Sequence, residues 1–150
     1  MTKTETGNLR NIVLLSHSGA GKTSLSEAML YETGAINRLG KTDDGTTTSD
    51  YEPEEQKRAT SIQTSILPCT WNNHKINLID TPGYADYRGE VISSIKVAES
   101  ALIIIDASSG VEVGTRQMWK MAEEQSLPKM IFVNKMDREN VTFQAAMDNI

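Results

Sequence analysis

Short apolar runs alternate with amphipathic segments along most of this chain. Continuous apolar runs are typical of buried parallel strands, and they predict strands at residues 10–15, 101–105 and 129–133. Two further strands are predicted at residues 62–71 and 76–80. Because only a short polar turn separates these two, they are expected to pair as an antiparallel hairpin.

Apolar residues spaced three and four apart predict four helices between and after these strands. The first helix follows Lys22 and ends at Thr33, with Gly34 as its C-terminal cap. The four apolar faces are Leu25, Ala28 and Met29; Val91, Ile92, Ile95 and Ala98; Met118, Met121 and Ala122; and Phe143, Ala146, Met147 and Ile150. Strands that alternate with such helices predict a doubly wound α/β fold, with a mostly parallel sheet and helices on both faces.

A loop of small residues joins the first predicted strand to the first helix, and we call residues 16–23 the phosphate loop. Its backbone N–H groups can wrap a phosphate chain, and the helix N-terminus adds the positive end of its dipole. We predict that Lys22 reaches the β- and γ-phosphates and that Thr23 ligates Mg²⁺. The predicted phosphate-binding residues are Ser18, Gly19, Ala20, Gly21, Lys22, Thr23 and Ser24. Because the pattern G-x-x-x-x-G-K-[ST] has glycine where this chain has Ser16, the loop alone is also compatible with an accidental glycine-rich turn.

Two further polar loops follow strands. Asp80 ends the hairpin, where its carboxylate can orient a water on Mg²⁺, and the N–H of Gly83 can contact a γ-phosphate. In residues 134–137, the guanine loop, Asp137 can accept both N–H donors of guanine, whereas adenine would leave this carboxylate unpaired. Asn134 would tie the loops together, and the stem of Lys135 would lie along the base. Ligands of such sheets bind at the carboxyl ends of strands, so the three loops are expected to converge on one nucleotide site.

Residues 34–61 carry no periodic apolar face and include the acidic run 50–55. A loop of this length inside a compact domain is usually functional or disordered. Taken alone, the segment is as compatible with a solvated linker as with a functional loop.

Composition narrows the class of protein. A length of 150 residues suits about one domain. The formal net charge of −5 argues against direct nucleic-acid binding by this domain alone, because such binding rests on clustered Lys and Arg. A single cysteine, Cys69, excludes an internal disulfide. A polar N-terminus and the lack of a long apolar run predict a cytoplasmic location and no membrane partner.

With these motifs in this order, the chain resembles the GTP-binding domain of translational GTPases, and within them the elongation factor G family. The resemblance rests on residues 16–23, 34–36, 50–51, 57–62, 80–87, 107–111 and 134–137. The resemblance implies that residues 1–9 are an N-terminal extension and that residues 10–150 are the GTP-binding domain. It implies a Ras-like P-loop fold, GTP or GDP with Mg²⁺ as ligands, GTP hydrolysis, and a ribosome contacted mainly through other domains. It also identifies residues 34–62 as the first switch, a γ-phosphate sensor.

The first switch departs from the family, which reads Arg-Gly-Ile-Thr-Ile in this segment. Alignment on Arg58 and Ile62 puts Ser61 in the place of the Mg²⁺-binding threonine, with Thr60 as the alternative. Ala59 replaces the glycine, which is expected to stiffen or shift the closed loop. The predicted metal residues are therefore Thr23, Ser61 and Asp80.

Tyr84 is the departure with the largest consequence, because the family carries there a histidine that positions the attacking water. A phenol with a pKa near 10 is a poor base at neutral pH. The resemblance therefore favours an elongation factor G-like paralogue with slow or differently triggered hydrolysis, and the candidate catalytic residues are Tyr84, Gly83 and Lys22. The main alternative is a weakly hydrolysing, GTP-dependent regulatory or ribosome-associated binding module. An ATP-dependent phosphate-loop enzyme and a tetracycline ribosome-protection protein are weaker alternatives.

Two smaller expectations complete the sequence interpretation. The family's domain continues with another strand and a Ser-Ala loop at guanine O6, so we expect a domain that is C-terminally incomplete and lacks an edge strand. His17 lies inside the phosphate loop and is expected to pack and orient rather than to act as a base.

Overall fold

The computed structural model describes residues 4–150 and contains one five-stranded sheet. The strands are β1 (Leu9–Leu15), β2 (Ser65–Trp71), β3 (His74–Asp80), β4 (Ser100–Asp106) and β5 (Lys129–Asn134). Their spatial order is β2-β3-β1-β4-β5, and every neighbouring pair is parallel except β2 with β3. The mostly parallel sheet and the antiparallel hairpin are thus confirmed.

Five α-helices accompany the strands in the described part of the chain. They are α1 (Lys22–Glu32), α2 (Pro53–Arg58), α3 (Arg88–Val97), α4 (Val113–Glu124) and α5 (Phe143–Asp148). Neither these helices nor the shorter turns of residues 4–150 have the length and apolar character needed to cross a membrane.

The helices cover both faces of the sheet, as the sequence predicts. Alternate residues of β1 point to opposite sides: Val13 packs with the apolar residues of α3 and α4, whereas Leu14 packs beside Ala20 on the side of α1. The pleat of a strand requires this alternation. The carboxyl-terminal halves of β1 and β4 are therefore buried on both faces.

Local turn chemistry sets two of the predicted boundaries. Gly34 has a φ of 70°, and its N–H and that of Ala35 donate to the carbonyls of Tyr31 and Leu30, which caps α1 as predicted. Asn72 and Asn73 both have positive φ, the conformation that a tight hairpin turn needs, because it matches the strand twist.

Three predicted boundaries or faces are wrong. β2 begins at Ser65 instead of residue 62, because the preceding N–H groups bind a carboxylate of α2. β3 begins at His74 instead of residue 76, because the hairpin pairs up to its turn. On α3, Ile92 is 43% exposed although the sequence pattern places it on the apolar face.

The two short helices also differ from the sequence interpretation. α2 lies inside the first switch, where no periodic pattern predicts it. α5 is a six-residue helix on which only Ala146 is buried, whereas Phe143, Met147 and Ile150 are exposed. Periodicity gives the relative orientation of these residues, but burial depends on what packs against them.

Candidate functional site

The phosphate loop leads from β1 into the first turn of α1. Gly19 and Gly21 have φ values of 83° and 96°, in the left-handed region that glycine adopts most easily. Lys22 Nζ donates to Ser16 Oγ at 3.0 Å and to the carbonyl oxygen of His17 at 3.1 Å. Ser16 is buried and is not among the residues with positive φ, so serine fits where the pattern has glycine.

Burial sets the charge state of the two ionisable groups beneath this loop. Loss of hydration lowers the pKa of Lys22 to about 8, although Asp80 and Asp50 favour its charged form. Burial raises the pKa of Asp80 to about 6, in spite of Lys22 and the hydroxyl of Thr23. An anion above Lys22 and a cation beside Asp80 would each restore the charged form.

A group of hydroxyls and carboxylates lies next to the phosphate loop. Thr23 Oγ1 donates to Asp80 Oδ2 at 2.8 Å, and Ser61 Oγ donates to Asp50 Oδ1 at 2.7 Å. The two hydroxyl oxygens are 3.1 Å apart. Thr60, the alternative to Ser61, lines the neighbouring cavity.

The donor set of this group fits Mg²⁺. Oxygen ligands are what Mg²⁺ prefers, and Asp80 Oδ1 is buried without a hydrogen-bond partner. Within residues 4–150 there is no group of three or more His, Cys, Asp or Glu that could hold a metal.

Gly83 packs directly against the phosphate loop. A Cβ at this position would lie 2.7 Å from both Lys22 Nζ and Ser18 Cα, so any side chain would displace the loop. Tyr84, the next residue, is 48% exposed and precedes the 3-10 turn Ala85–Tyr87. Its side chain is not part of the cavity lining described below.

The guanine loop is tied to the phosphate loop by two hydrogen bonds. Asn134 Nδ2 donates to the carbonyl of Ala20 at 2.9 Å, and Lys135 Nζ donates to that of Gly19 at 2.6 Å. Asp137 is exposed at the end of the guanine loop. The two loops therefore form one structural unit, although more than 100 residues separate them.

Asp106, at the end of β4, anchors this unit, and the sequence interpretation did not include it. Lys135 Nζ contacts Asp106 Oδ2 at 2.7 Å. Partial burial alone would raise the pKa of Asp106, but hydrogen bonds from Lys135 and Ser108 lower it to about 2. The sequence signal that could have identified Asp106 is its position at the end of a predicted strand, which it shares with Asp80.

These loops enclose a cavity of about 330 Å³. Its lining is Ser18, Gly19, Gly21, Lys22, Thr23, Ser24, Thr42, Asp43, Asp50, Ala59, Thr60, Ser61, Gly83, Lys135 and Arg138. Five of these residues were not predicted as site residues: Thr42, Asp43, Asp50, Ala59 and Arg138. The acidic run 50–55 was the signal for Asp50, whereas the positions of the other four depend on how the loops fold.

His17 links the phosphate loop to α4. Its ring contacts Thr115 Oγ1 at 3.0 Å through Nδ1 and Glu112 Oε1 at 3.1 Å through Nε2. Burial lowers the pKa of His17, although Glu112 raises it. A buried ring held on both sides is suited to orienting the loop, as the sequence suggests.

Known proteins with similar sequences include translation factors. Two relatives named ribosome-releasing factor 2, mitochondrial, are each 45% identical to the chain. The one from Candida dubliniensis matches over 141 residues, which are 94% of this chain and 18% of the relative. The one from Yarrowia lipolytica matches over 148 residues, which are 99% of this chain and 18% of the relative. The chain thus spans about a fifth of the length of these relatives.

Solved structures show the same fold. A protein from Thermus thermophilus is 40% identical with a TM-score of 0.89, and the match covers 93% of this chain and 21% of that one. The elongation factor SelB from Methanococcus maripaludis, solved with the GTP analogue GppNHp, has a TM-score of 0.69 at 22% identity and supports the fold alone. That match covers 93% of this chain and 24% of SelB. The family model described as the elongation factor Tu GTP-binding domain matches residues 7–150, and the chain therefore belongs to this family of translational GTPase domains.

Proposed function

We propose that this chain binds GTP and GDP with Mg²⁺ and hydrolyses GTP, as the GTP-binding domain of an elongation factor G-type translation factor that acts on the ribosome. The observation that carries the proposal is the pair of hydrogen bonds from Asn134 and Lys135 to the carbonyls of Ala20 and Gly19. They hold the base-selecting loop directly against the phosphate-binding loop. Family membership supports the GTPase activity in general terms.

Each loop has a distinct task in this proposal. The backbone of residues 18–24 and the ammonium of Lys22 bind the phosphates. Thr23, Ser61 and Asp80 are the residues that would hold Mg²⁺. Bound there, the ion would neutralise charge that develops on the phosphate oxygens. Asp137 accepts the two N–H donors of guanine, the Lys135 stem covers the base, and Asn134 lies near O6 and N7.

For hydrolysis, the residues at the γ-phosphate end have unequal roles. Lys22 stabilises negative charge, and the Gly83 N–H is the candidate γ-phosphate donor, because Gly83 packs closely against Lys22 and Ser18. Tyr84 is half-exposed and carries a phenol, so it is a poor base for the attacking water. We infer that intrinsic hydrolysis is slow and that a partner must order this residue or supply another group.

A ribosome is the proposed partner, because the relatives are named ribosome-releasing factors. The contact would be made mainly by other domains, because a domain with a formal net charge of −5 has little attraction for the negatively charged backbone of RNA. The cytoplasmic location stays a prediction, since the relatives are named mitochondrial. Exposure of Tyr84 favours one alternative function, a regulatory or ribosome-associated module that binds GTP but hydrolyses it weakly.

The experiment that tests binding is competition for labelled GDP on the full chain in Mg²⁺ buffer. Unlabelled GDP and GTP should displace the label, and ATP should not at a hundredfold excess. Efficient displacement by ATP would contradict the guanine assignment and favour an ATP-dependent enzyme. Single-turnover GTP hydrolysis with and without ribosomes then separates the two functions. It uses a chimaera in which this chain replaces the matching segment of the Yarrowia lipolytica relative, because the proposed ribosome contacts lie mainly in other domains. An increase with ribosomes supports the GTPase, and an unchanged slow rate supports the binding module.

A further inference from the structure

Glu55 is a buried acid in the middle of the first switch, with an exposed fraction of 1%. Its Oε1 atom accepts the backbone N–H groups of Ile62 at 2.8 Å and Gln63 at 3.0 Å. Its Oε2 atom accepts the N–H of Glu52 at 3.2 Å. The ion pairs found within residues 4–150 do not include Glu55. A buried carboxylate is therefore satisfied here by three main-chain donors.

These contacts bracket Ser61. The carboxylate of Glu55 holds the two residues after Ser61, while the carbonyl of Glu55 accepts the N–H of Thr60, the residue before it, at 3.1 Å. One residue thus fixes the chain on both sides of the hydroxyl that faces Thr23 at 3.1 Å. The same contacts keep residues 62 and 63 out of β2.

We propose that Glu55 is a positioning residue, which holds the hydroxyl of Ser61 where it can ligate Mg²⁺ in the GTP state. Glu55 lies on α2, so the folding of this short helix and the placement of Ser61 are coupled through a single carboxylate. This inference rests on the proposed function, because it assigns to Glu55 a task in Mg²⁺·GTP binding. It predicts that losing the carboxylate weakens the triphosphate complex selectively.

The test compares E55Q with the wild-type chain. Glutamine keeps the size of the side chain but has a single acceptor oxygen, so either the Glu52 N–H that starts α2 or the N–H groups of Ile62 and Gln63 lose their acceptor. Either loss uncouples α2 from the segment that carries Ser61. E54Q is the matched control, because Glu54 is the exposed neighbour on α2 and forms an ion pair with Arg58 across one turn. We expect E55Q to lower the affinity for Mg²⁺·GppNHp about tenfold, with Mg²⁺·GDP binding within about twofold of wild type. E54Q should bind both like wild type.

A double-mutant cycle shows where Glu55 acts. If it works through Ser61, E55Q should cost little GppNHp affinity in an S61A background. Equal losses of GppNHp and GDP, an unchanged GppNHp affinity, or additive effects of E55Q and S61A would each overturn the proposal.

Trypsin digestion without nucleotide gives an independent measurement. Lys57 and Arg58 follow Glu55 in α2, so E55Q should be cut there about tenfold faster than wild type or E54Q. An equal rate of cutting would overturn the positioning role. If the wild-type chain binds no guanine nucleotide, the proposed function fails, and this digestion still decides whether Glu55 orders the first switch.

Discussion

The hydroxyl oxygens of Thr23 and Ser61 lie 3.1 Å apart, although 38 residues separate them in the sequence. Each hydroxyl donates its hydrogen to a carboxylate, Thr23 to Asp80 and Ser61 to Asp50. The two oxygens lie within hydrogen-bond distance of each other, and two oxygen ligands of one small cation lie about as close together. This arrangement joins the phosphate loop to the first switch.

The first prediction concerns these two hydroxyls. Replacing Thr23 by valine should weaken Mg²⁺·GDP and Mg²⁺·GppNHp alike, by about tenfold or more, because a ligand is lost in both states. Ser61→Ala should weaken only the GppNHp complex. Calorimetric titration at several Mg²⁺ concentrations measures both effects, with Ser93→Ala on the exposed side of α3 as the control. Equal effects of Ser61→Ala on the two nucleotides would contradict a switch role for Ser61.

Ala59 has a φ of 49° and a ψ of 45° at the end of α2, in a region that costs a non-glycine residue about 1–2 kcal/mol. Ala59→Gly should therefore stabilise the first switch by roughly 0.5–1 kcal/mol, after the extra chain entropy of glycine. Hydrogen exchange of the Thr60 N–H, which donates to the Glu55 carbonyl, should slow accordingly. Ala145→Gly in α5 is the control. It should lower the stability of α5, because the backbone there is helical and glycine disfavours a helix. Faster exchange in Ala59→Gly would show that the left-handed residue carries no strain.

Lys22 should take up protons when nucleotide binds. Its pKa in the free chain is about 8, because it is buried, and a polyphosphate beside Nζ raises it. At pH 8 binding should therefore take up about half a proton, whereas at pH 6.5 Lys22 is already charged and adds almost none. Calorimetry of GDP binding in two buffers with different ionisation enthalpies measures this number. Zero uptake at pH 8 would mean that Lys22 is fully charged in the free chain.

The contact between Asp106 and Lys135 should make the domain sensitive to acid. The pKa of Asp106 is lowered to about 2 in the folded chain, against 3.8 as its ordinary value. A lowered pKa stabilises the folded state above about pH 4, and this stabilisation is lost as the pH falls toward 2. Asp106→Asn should thus lower the free energy of unfolding by about 1–3 kcal/mol at pH 7, with the difference shrinking below pH 4.

Urea unfolding at pH 7, 4 and 3 measures this difference. Asp44→Asn, at an exposed position of the first switch, is the control and should leave the stability unchanged. A difference between wild type and Asp106→Asn that stays constant with pH would exclude the charge of Asp106 as its cause.

In a chimaera in which this chain replaces the matching segment of the Yarrowia lipolytica relative, Tyr84→His should raise ribosome-stimulated GTP hydrolysis by at least tenfold, because an imidazole can orient or deprotonate water near neutral pH. Nucleotide affinity should not change, since the Tyr84 side chain lies outside the cavity lining. Tyr31→His, at an exposed position of α1, serves as the control in a single-turnover assay. An unchanged rate in Tyr84→His would show that the tyrosine does not limit hydrolysis.

Local signals made much of the fold predictable. Gly34 ends α1 and the Asn72-Asn73 pair turns the hairpin because their backbone preferences act within a few residues. Long apolar runs located β1 and β4 because the carboxyl-terminal halves of both strands are buried on both faces.

The remaining features depend on distant contacts. α2 carries no apolar pattern, and the Glu55 carboxylate at its centre binds Ile62 and Gln63 beyond its end. Arg138 and Thr42 meet at one cavity only after the guanine loop and the first switch have folded. The order of the motifs predicted the phosphate and guanine loops. Asp106 was identified only from its contact with Lys135 in the structure.

Guanine selection by Asp137 is the central claim, and exchanging its carboxylate for an amide tests it most directly. An asparagine at this position offers an N–H donor where guanine also has donors, but it can pair with the O2 carbonyl of xanthine. Asp137→Asn should lower GDP affinity at least about a hundredfold and gain binding of xanthosine diphosphate, while the wild type shows the reverse preference. An Asp137→Asn variant that binds GDP like wild type would contradict the account.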